Sequence, residues 1–384
     1  MLRSWVRLWR PSKNSSMKIL VLAGAGASTG VSAQKYPTTA GFYERYVDKS
    51  NLRDRPIFQI LDDFVRREKV EALQREGRAP SAEPLIVDIE EILFAARELR
   101  QVYAKFHATS RSVARFATWH EKIQSYGSYG NNVTGLLESA LPHIDGLVSE
   151  INELVHKAYV AKPSDDELDK TWDPFLRTLA TYQRTESLNI FTTNYDLVLE
   201  AAIRRANIGV DDGSSDDVTR SLSLNRWREP FSLPPSKIGL LTKLHGSLHW
   251  LKGDADEIEV TGASFKNHAR QVALYPGFKG IPTVEPFNLF HNYFAHCISQ
   301  ADVVIVVGFA FRDEYINSIF RQHLSRSHRL LVVDPRADEL PVAGNARVHR
   351  CNFRFGDANV EKFLHAALLD KPMPQIVFQQ GDAK

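Results

Sequence analysis

Cysteine is scarce in this chain, and its scarcity excludes one common kind of structural site. The 384 residues contain two cysteines, Cys297 and Cys351, which lie far apart and in no paired spacing. Structural zinc sites built on cysteine use closely spaced pairs, so the sequence excludes a cysteine-based zinc module. Two unpaired cysteines are also typical of a reducing compartment, and we expect a cytoplasmic location.

Long apolar runs and an excess of basic residues are missing as well. The longest apolar run, near residues 303–307, is much shorter than the ~20 residues that a membrane-spanning helix needs, so we expect a soluble protein. Lysine and arginine number 48 against 46 aspartates and glutamates. This balance excludes the general positive field of a dedicated nucleic-acid-binding protein and leaves room only for a local basic patch.

The first part of the chain, residues 1–16, differs from the rest. Arg3, Arg7 and Arg10 alternate there with bulky apolar residues, without the apolar segment of a secretory signal. We predict a basic N-terminal arm that is disordered or binds a partner. A mitochondrial presequence, a membrane-binding arm and an upstream extension of a start at Met17 are the alternatives.

A glycine-rich turn follows the first apolar segment. Residues 19–22 run directly into Gly-Ala-Gly-Ala-Ser at residues 24–28, which predicts a buried strand that turns sharply into a helix. Glycines at 24 and 26 would permit positive φ angles and let an anion reach free N–H groups at the helix start. The pattern favours a phosphate-binding turn. Because Gly30 lies one residue beyond the dehydrogenase spacing, a glycine turn without a ligand is the alternative.

Helical periodicity then replaces the strand pattern, and we assign residues 47–185 to a helical insertion. Apolar residues from Ile89 to Phe106 fall on one helical face, as do those from Leu147 to Ala158. No residue with evident chemistry interrupts these stripes. We therefore expect the insertion to pack on itself and against a sheet.

Strands return after the insertion as short, β-branched segments. Because these segments are apolar on both faces, they are typical of a parallel sheet that helices cover. The sequence thus predicts an α/β fold with a Rossmann-like, doubly wound parallel sheet over residues 17–370 and a C-terminal tail at 371–384. The four segments are residues 188–192, 238–244, 303–307 and 330–333.

Small, polar and ionisable residues collect where the predicted strands end. The carboxyl ends of parallel strands meet at one edge of a doubly wound sheet, where ligands bind. Singly, Asn194 is explained as a turn residue, Asp196 as a helix N-cap and His245 as a core histidine. Their coincidence at one edge favours a site. The segments are residues 24–28, Thr-Thr-Asn-Tyr-Asp at 192–196, Leu-His-Gly-Ser-Leu-His-Trp at 244–250, and Gly-Phe-Ala-Phe-Arg-Asp at 308–313.

In this order, these segments resemble the NAD-binding fold of the sirtuins. The variants at residues 192–196, 244–250 and 308–317 are similar to those of the sirtuin-like NAD hydrolases of bacterial anti-phage defence. Three departures weaken the case for an acyl-peptide channel. A four-cysteine zinc module is missing, Thr193 stands where deacylases carry glutamine, and residues 30–37 replace the usual cofactor loop.

The resemblance implies cleavage of the nicotinamide–ribose bond of NAD+ to nicotinamide and ADP-ribose, without a metal. By match to the family, Asn194 positions the nicotinamide ribose and the attacking water. Asp196 binds the carboxamide, and His245 acts as a base toward a ribose hydroxyl. The other residues implied to bind NAD+ are Gly24, Ala25, Gly26 and Ser28 for the diphosphate, Gly308 and Asp334 for the adenosine half, and Thr193 and Phe309.

Other functions stay open at this point. An NAD-dependent deacylase or ADP-ribosyltransferase is the alternative enzyme, and a non-catalytic nucleotide sensor or scaffold is the alternative outside catalysis. A base at His245 beside an anchored amide at Asn194 argues against a pure binder. Because uncontrolled NAD+ depletion kills the host, the resemblance implies a homo-oligomer or a regulatory partner, such as a DNA-translocating ATPase or another defence subunit. We expect the helical insertion to be the control element.

Overall fold

A computed structural model describes the chain over a set of residue ranges. The predicted N-terminal arm and C-terminal tail lie outside these ranges. Among the helices described, none combines the length and apolar character that a bilayer crossing requires. The ranges are 17–75, 77, 87, 89–106, 140–182, 185–214, 221–228, 237–253, 258–260, 271–273, 285–342 and 344–369.

Seven parallel strands form the main sheet, with β1 (Met17–Ala23) at its centre. The others are β2 (Thr185–Thr192), β3 (Val210–Asp211), β4 (Gly239–Lys243), β8 (Val303–Val307), β9 (Arg329–Val333) and β10 (Arg347–Cys351). Their order is β10-β9-β8-β1-β2-β4-β3. The chain therefore extends the sheet first on one side of β1 and then on the other, which confirms the doubly wound prediction.

A second, smaller sheet lies beside the main one. Its strands β5 (Gly246–Lys252), β6 (Ile258–Val260) and β7 (Gln271–Ala273) pair antiparallel in the order β6-β5-β7. β5 starts immediately after His245 and is buried along most of its length. This strand was not predicted from the sequence.

Strand alternation divides the core of the main sheet into two layers. In β1, Ile19 and Val21 belong to one buried cluster, whereas Leu20 and Leu22 belong to another. Successive side chains of a strand point to opposite faces, so an apolar run on both faces needs helices on both sides. The α-helices are α1 (Ala25–Val31), α2 (Thr39–Phe42), α3 (Pro56–Arg75), α4 (Ile89–Phe106), α5 (Ala140–Tyr159), α6 (Asp165–Asp169), α7 (Trp172–Thr181), α8 (Val198–Ala206), α9 (Asn225–Arg228), α10 (Phe287–Gln300), α11 (Glu314–His323) and α12 (Ala358–Leu368).

Each face of the sheet has its own set of helices. Helices α1, α6, α7, α8 and α12 supply apolar side chains to the cluster of Ile19 and Val21. Helices α9, α10 and α11 supply those of the cluster of Leu20 and Leu22. The predicted insertion at residues 47–185 is thus not a single unit, because its last two helices, α6 and α7, pack on the sheet.

Helices α3, α4 and α5 instead surround a core of their own, and we call them the helical module. The predicted stripe on α4 is buried at Ile89, Ile92, Leu93 and Leu99. Further residues of this core lie outside α3, α4 and α5, and two of them, Tyr195 and Leu248, come from the turn after β2 and from β5. The module is therefore packed directly onto the loop that carries Asn194 and Asp196.

The turns after β1 and β8 touch each other through their backbones. The Gly24 N–H donates to the Val307 oxygen and the Gly26 N–H to the Gly308 oxygen, both at 2.9 Å. A Cβ atom on Gly24 would lie 2.6 Å from the Gly308 oxygen, and one on Gly308 would lie 2.3 Å from the Ala27 nitrogen. The expectation of positive φ at 24 and 26 is wrong, because Gly24 has φ −105° and Gly26 lies within α1. Close approach, and not φ, requires glycine here.

A buried ion pair fixes α8 to the end of β4. The Lys243 ammonium lies 2.8 Å from Glu200 Oε1 and also donates to the backbone oxygen of Asp196. Side-chain exposure is 1% for Lys243 and 12% for Glu200. Because both charges are out of water, each depends on the other for solvation.

Replacing Gly308 by alanine tests the contact between the two turns. Gly308 has φ +59°, so a side chain there is strained as well as crowded. We expect Gly308→Ala to lower the free energy of unfolding by about 2–4 kcal/mol in urea titrations. Gly146→Ala, in α5 with open space around it, is the matched control and should gain about 0.5–1 kcal/mol. Equal stability of the two variants would contradict the contact.

Removing the lysine of the buried ion pair tests its energetic role. Lys243→Met leaves the Glu200 carboxylate buried without its partner, and we expect a loss of about 3–5 kcal/mol in the free energy of unfolding. The double variant Lys243→Met, Glu200→Met removes the stranded charge as well and should recover part of the loss. A double variant no more stable than the single one would show that the carboxylate carries no such penalty.

Candidate active site

A cavity of about 720 Å³ opens at the carboxyl ends of the main strands. It lies at the end of β1, which has β2 as its neighbour on one side and β8 on the other. This point, where the strand order reverses, is the usual ligand position in a doubly wound sheet. Every predicted site residue except Gly24 lines this cavity. Gly24 is buried behind it, in the contact with the turn after β8.

Asn194 follows β2, and its side-chain amide is anchored on the turn after β1. Its Nδ2 donates to the Gly24 oxygen at 2.9 Å and to Ser28 Oγ at 2.8 Å. Because a backbone carbonyl only accepts, the contact with Gly24 fixes the orientation of the amide. The side-chain atom left for a ligand is therefore Oδ1.

Asp196 lies deeper and is linked to Asn194 through Ser28. The Ser28 hydroxyl hydrogen-bonds the Asp196 carboxyl group, and Asp196 Oδ1 accepts from the Val198 N–H at 3.0 Å. Burial raises the pKa of Asp196 above its usual value, against the opposing effects of Lys243 and these hydrogen bonds. Asp196 is 5% exposed, so the cavity reaches it only from one side.

His245 occupies the turn between β4 and β5, opposite the turn after β8. Its Nε2 lies 3.1 Å from Asp313 Oδ2, and the His245 residue is 4% exposed. Burial alone would raise the pKa of Asp313, but the hydrogen bond from His245 and its positive charge when protonated bring that pKa below the usual value. His249, in contrast, does not line the cavity, and its ring lies 6.4 Å from that of His156 in the helical module.

The remaining predicted residues lie along the floor and one wall. Ala25, Gly26 and Ser28 belong to α1, Gly308 and Phe309 to the turn after β8, and Asp334 to the end of β9. Thr193 donates its N–H to the Ala23 oxygen at 3.1 Å. The N–H groups of Gly24 and Gly26 donate to the Val307 and Gly308 oxygens, so these two donors of the turn are used within the protein.

Positive charge is concentrated on the half of the cavity formed by β8, β9 and β10. Arg312, Arg336 and Arg354 follow these three neighbouring strands and line the cavity. In the part of the chain that the structure describes, none of the three is ion-paired with a carboxylate. The amide and the imidazole lie on the other half, so the cavity suits a ligand with an anionic portion and an uncharged or cationic portion.

The helical module closes the cavity from above. Val155 and Tyr159 of the module contribute apolar surface together with Phe42 of α2, and Lys69 pairs with Glu91 at 2.6 Å. Residues 107–139 fall outside the described ranges, so these contacts belong to the described part of the module alone.

Two charged residues of this region were missed from the sequence. Lys243 stands inside a predicted strand between Thr242 and Leu244, and a charge in such a position signals a buried partner. Asp313 belongs to the quoted segment 308–313 but had no assigned role, although an aspartate before Glu314 is a typical N-cap. Their partners, Glu200 and His245, are distant in sequence and could not be identified without the fold.

Comparison with known proteins gives one family match and several solved structures. Residues 188–355 match the model of the SIR2-like domain. No curated protein matches the chain significantly. The matched range includes the segments of Asn194, His245 and Gly308, whereas the glycine turn after β1 precedes it.

Solved sirtuin structures align with most of the chain at low identity. A Sir2 homologue mutant in complex with ADP-ribose is 14% identical, with 92% of this chain and 93% of that chain covered and a TM-score of 0.37. A Sir2 homologue in complex with NAD is 14% identical (92% and 91% covered, TM-score 0.38), and Sir2Tm bound to a propionylated peptide is 13% identical (92% and 95% covered, TM-score 0.36).

The sheet order follows from the strand pairing of this chain, in which β1 precedes the range that the family model matches. Residues 188–355 are therefore similar to the SIR2-like domain, and they supply the other six strands of a doubly wound parallel sheet except the start of β2.

Proposed function

We propose that this protein is an NAD+ glycohydrolase, which cleaves the nicotinamide–ribose bond to give nicotinamide and ADP-ribose. One observation carries the proposal. The anchored amide of Asn194 and the imidazole of His245 line the same cavity, in a chain that matches the SIR2-like domain. A binding site has no need of a base opposite an oriented amide, whereas a hydrolytic site needs both.

The charge distribution of the cavity supports a dinucleotide with a diphosphate. Arg312, Arg336 and Arg354 can neutralise the diphosphate, and Asp334 can accept a hydrogen bond from an adenosine ribose hydroxyl. Asp334 Oδ1 already accepts from the Arg336 N–H at 2.9 Å, so Oδ2 is the oxygen for the ribose. The nicotinamide end then falls on the uncharged half of the cavity.

The reaction breaks the bond between C1′ of the ribose and the ring nitrogen, and the electron pair stays with that nitrogen. Nicotinamide leaves as a neutral molecule, so its departure needs little acid catalysis. The ribose becomes electron-poor at C1′, and Asn194 Oδ1 stabilises that centre and orients the attacking water. His245 takes a proton from a ribose hydroxyl as charge develops and returns it to the same oxygen once water has attacked C1′. The attacking water loses its own proton to solvent when the C1′–O bond forms.

Asp196 completes the nicotinamide pocket in this proposal. Its hydrogen bonds with Ser28 and the Val198 N–H hold the carboxyl group in place, which lets it meet the carboxamide of the leaving group. The cellular role that we propose is NAD+ depletion in anti-phage defence, supported by the resemblance of the segments at 192–196, 244–250 and 308–317. Control by self-association or by a partner protein, acting through the helical module, is part of the same proposal.

The first test measures nicotinamide release from NAD+ by the full chain, with and without an acetylated peptide. We expect release without peptide, and release only with peptide would favour a deacylase. His245→Ala should lower turnover by about 10²- to 10⁴-fold because the base is lost. His249→Ala, a histidine that faces the helical module, is the matched control and should keep most activity. Wild-type turnover in His245→Ala would overturn the assignment of the base.

Replacing the anchored amide separates catalysis from binding. Asn194→Ala should lower kcat by about 10²- to 10³-fold, because the group that stabilises C1′ is gone while the arginines remain. NAD+ affinity, measured by calorimetry, should change much less, and Asp196→Asn should be milder because an amide can still meet the carboxamide. Complete loss of NAD+ binding in a folded Asn194→Ala variant would show that Asn194 anchors the ligand instead.

A further inference from the structure

Asp313 makes two hydrogen bonds with its two carboxylate oxygens, and they serve different elements. Oδ1 accepts from the Ile316 N–H at 2.9 Å and caps the start of α11. Oδ2 lies 3.1 Å from His245 Nε2, on a turn of the opposite half of the sheet. The side chains are 16% and 4% exposed, so water competes little for this contact.

The contact determines which ring nitrogen of His245 carries the hydrogen. The pKa of Asp313 lies below its usual value despite burial, so the carboxylate is ionised near neutral pH and can only accept. Nε2 must then be the donor, and in the neutral ring the lone pair lies on Nδ1. A base toward a ribose hydroxyl needs that lone pair.

We propose that Asp313 positions His245. Its carboxylate holds the imidazole in the tautomer in which Nδ1 carries no hydrogen, and it stabilises the imidazolium that forms during turnover. This inference rests on the proposed function for the catalytic role of His245. The tautomer itself is a property of the protein without substrate.

Two rings lie near His245 besides the carboxylate of Asp313. Tyr195 lies on one side and His291 on another, each with its ring centre 6.4 Å from that of His245. Burial lowers the pKa of His291 to about 4, and its Nδ1 donates to the Phe287 oxygen, so this ring is neutral at physiological pH. Tyr315 contacts the far side of His291.

The loop that brings Asp313 to His245 is held in a strained conformation. Phe311 has φ +55°, a value that residues with side chains rarely adopt. Asn317 Nδ2 donates to the Phe311 oxygen at 2.8 Å, and Gly308 at the start of the loop is fixed against Gly26. A helix cap by itself needs no side-chain-bearing residue at positive φ, because the residue at positive φ before Asp357, which caps α12, is the glycine Gly356.

Asp313→Asn tests the proposal because asparagine caps helices as well as aspartate does. The amide nitrogen would face His245 and donate to Nε2, which forces the hydrogen onto Nδ1. We expect kcat for nicotinamide release to fall about 10²- to 10⁴-fold with little change in KM.

The matched control is Asp357→Asn, the same substitution at the N-cap of α12, where the aspartate does not line the cavity, and it should leave kcat unchanged. The tautomer is read without substrate by ¹⁵N NMR of histidine-labelled protein, with the His245 signals assigned by their loss in His245→Gln. We expect the hydrogen on Nε2 in the wild type and on Nδ1 in Asp313→Asn.

The two readouts separate this inference from the proposed function. If the wild type releases no nicotinamide but the hydrogen moves from Nε2 to Nδ1 in Asp313→Asn, Asp313 positions His245 and the proposed NAD+ cleavage is wrong. If the wild type cleaves NAD+ and Asp313→Asn keeps its kcat and the wild-type tautomer, Asp313 is only a helix cap and the inference is overturned.

Discussion

The contact between the backbone turns after β1 and β8 is the constraint on which the rest of the site depends. Gly24, Gly26 and Gly308 let two main chains approach to distances that no Cβ atom tolerates. That approach determines where α1 begins, and therefore where Ser28 meets Asn194. It also fixes the start of the loop that ends at Asp313. One steric condition thus positions groups on both sides of the cavity.

Polar groups in this cavity are held by other protein groups before any ligand arrives. Asn194 is bonded to Gly24 and Ser28, and His245 to Asp313. Lys243 supports the Asp196 loop from beneath. Such preorganisation means that little reorientation is needed when charge develops on a bound molecule, which is where protein electrostatics is most effective. The three arginines on the other half are exposed and can adjust to the anionic portion of a ligand.

The pattern of apolar residues in the sequence predicted the strands that are covered by helices on both faces. Strands β2, β4, β8 and β9 are apolar on both faces because helices cover both, and their runs are visible in the sequence. Strand β10 was missed because it is an edge strand with Arg347, His349 and Arg350 among its five residues. Strand β5 was missed because its residues were interpreted as a strand-end motif, although six of its seven positions are buried.

The residues of the site also fall into two groups, those that the sequence predicts and those that it does not. Asn194, Asp196 and His245 follow strands directly, so topology alone brings them to one edge. The partners of these groups depend on tertiary approach, as with His245 and Asp313, which are 68 residues apart in the chain. The glycine turn was predicted for the wrong reason, because the sequence reveals that a side chain is missing but not whether φ or a neighbouring backbone requires it.

The insertion of helices between β1 and β2 has a consequence for how the chain reaches this structure. These two strands are neighbours in the sheet, yet roughly 160 residues separate them, so their pairing closes a long loop at a large entropic cost. Prior collapse of the helices, whose contacts are more local, shortens the effective loop. The topology therefore favours packing of the helices before the pairing of β1 with β2, which is the pairing that positions Asn194 beside the turn after β1.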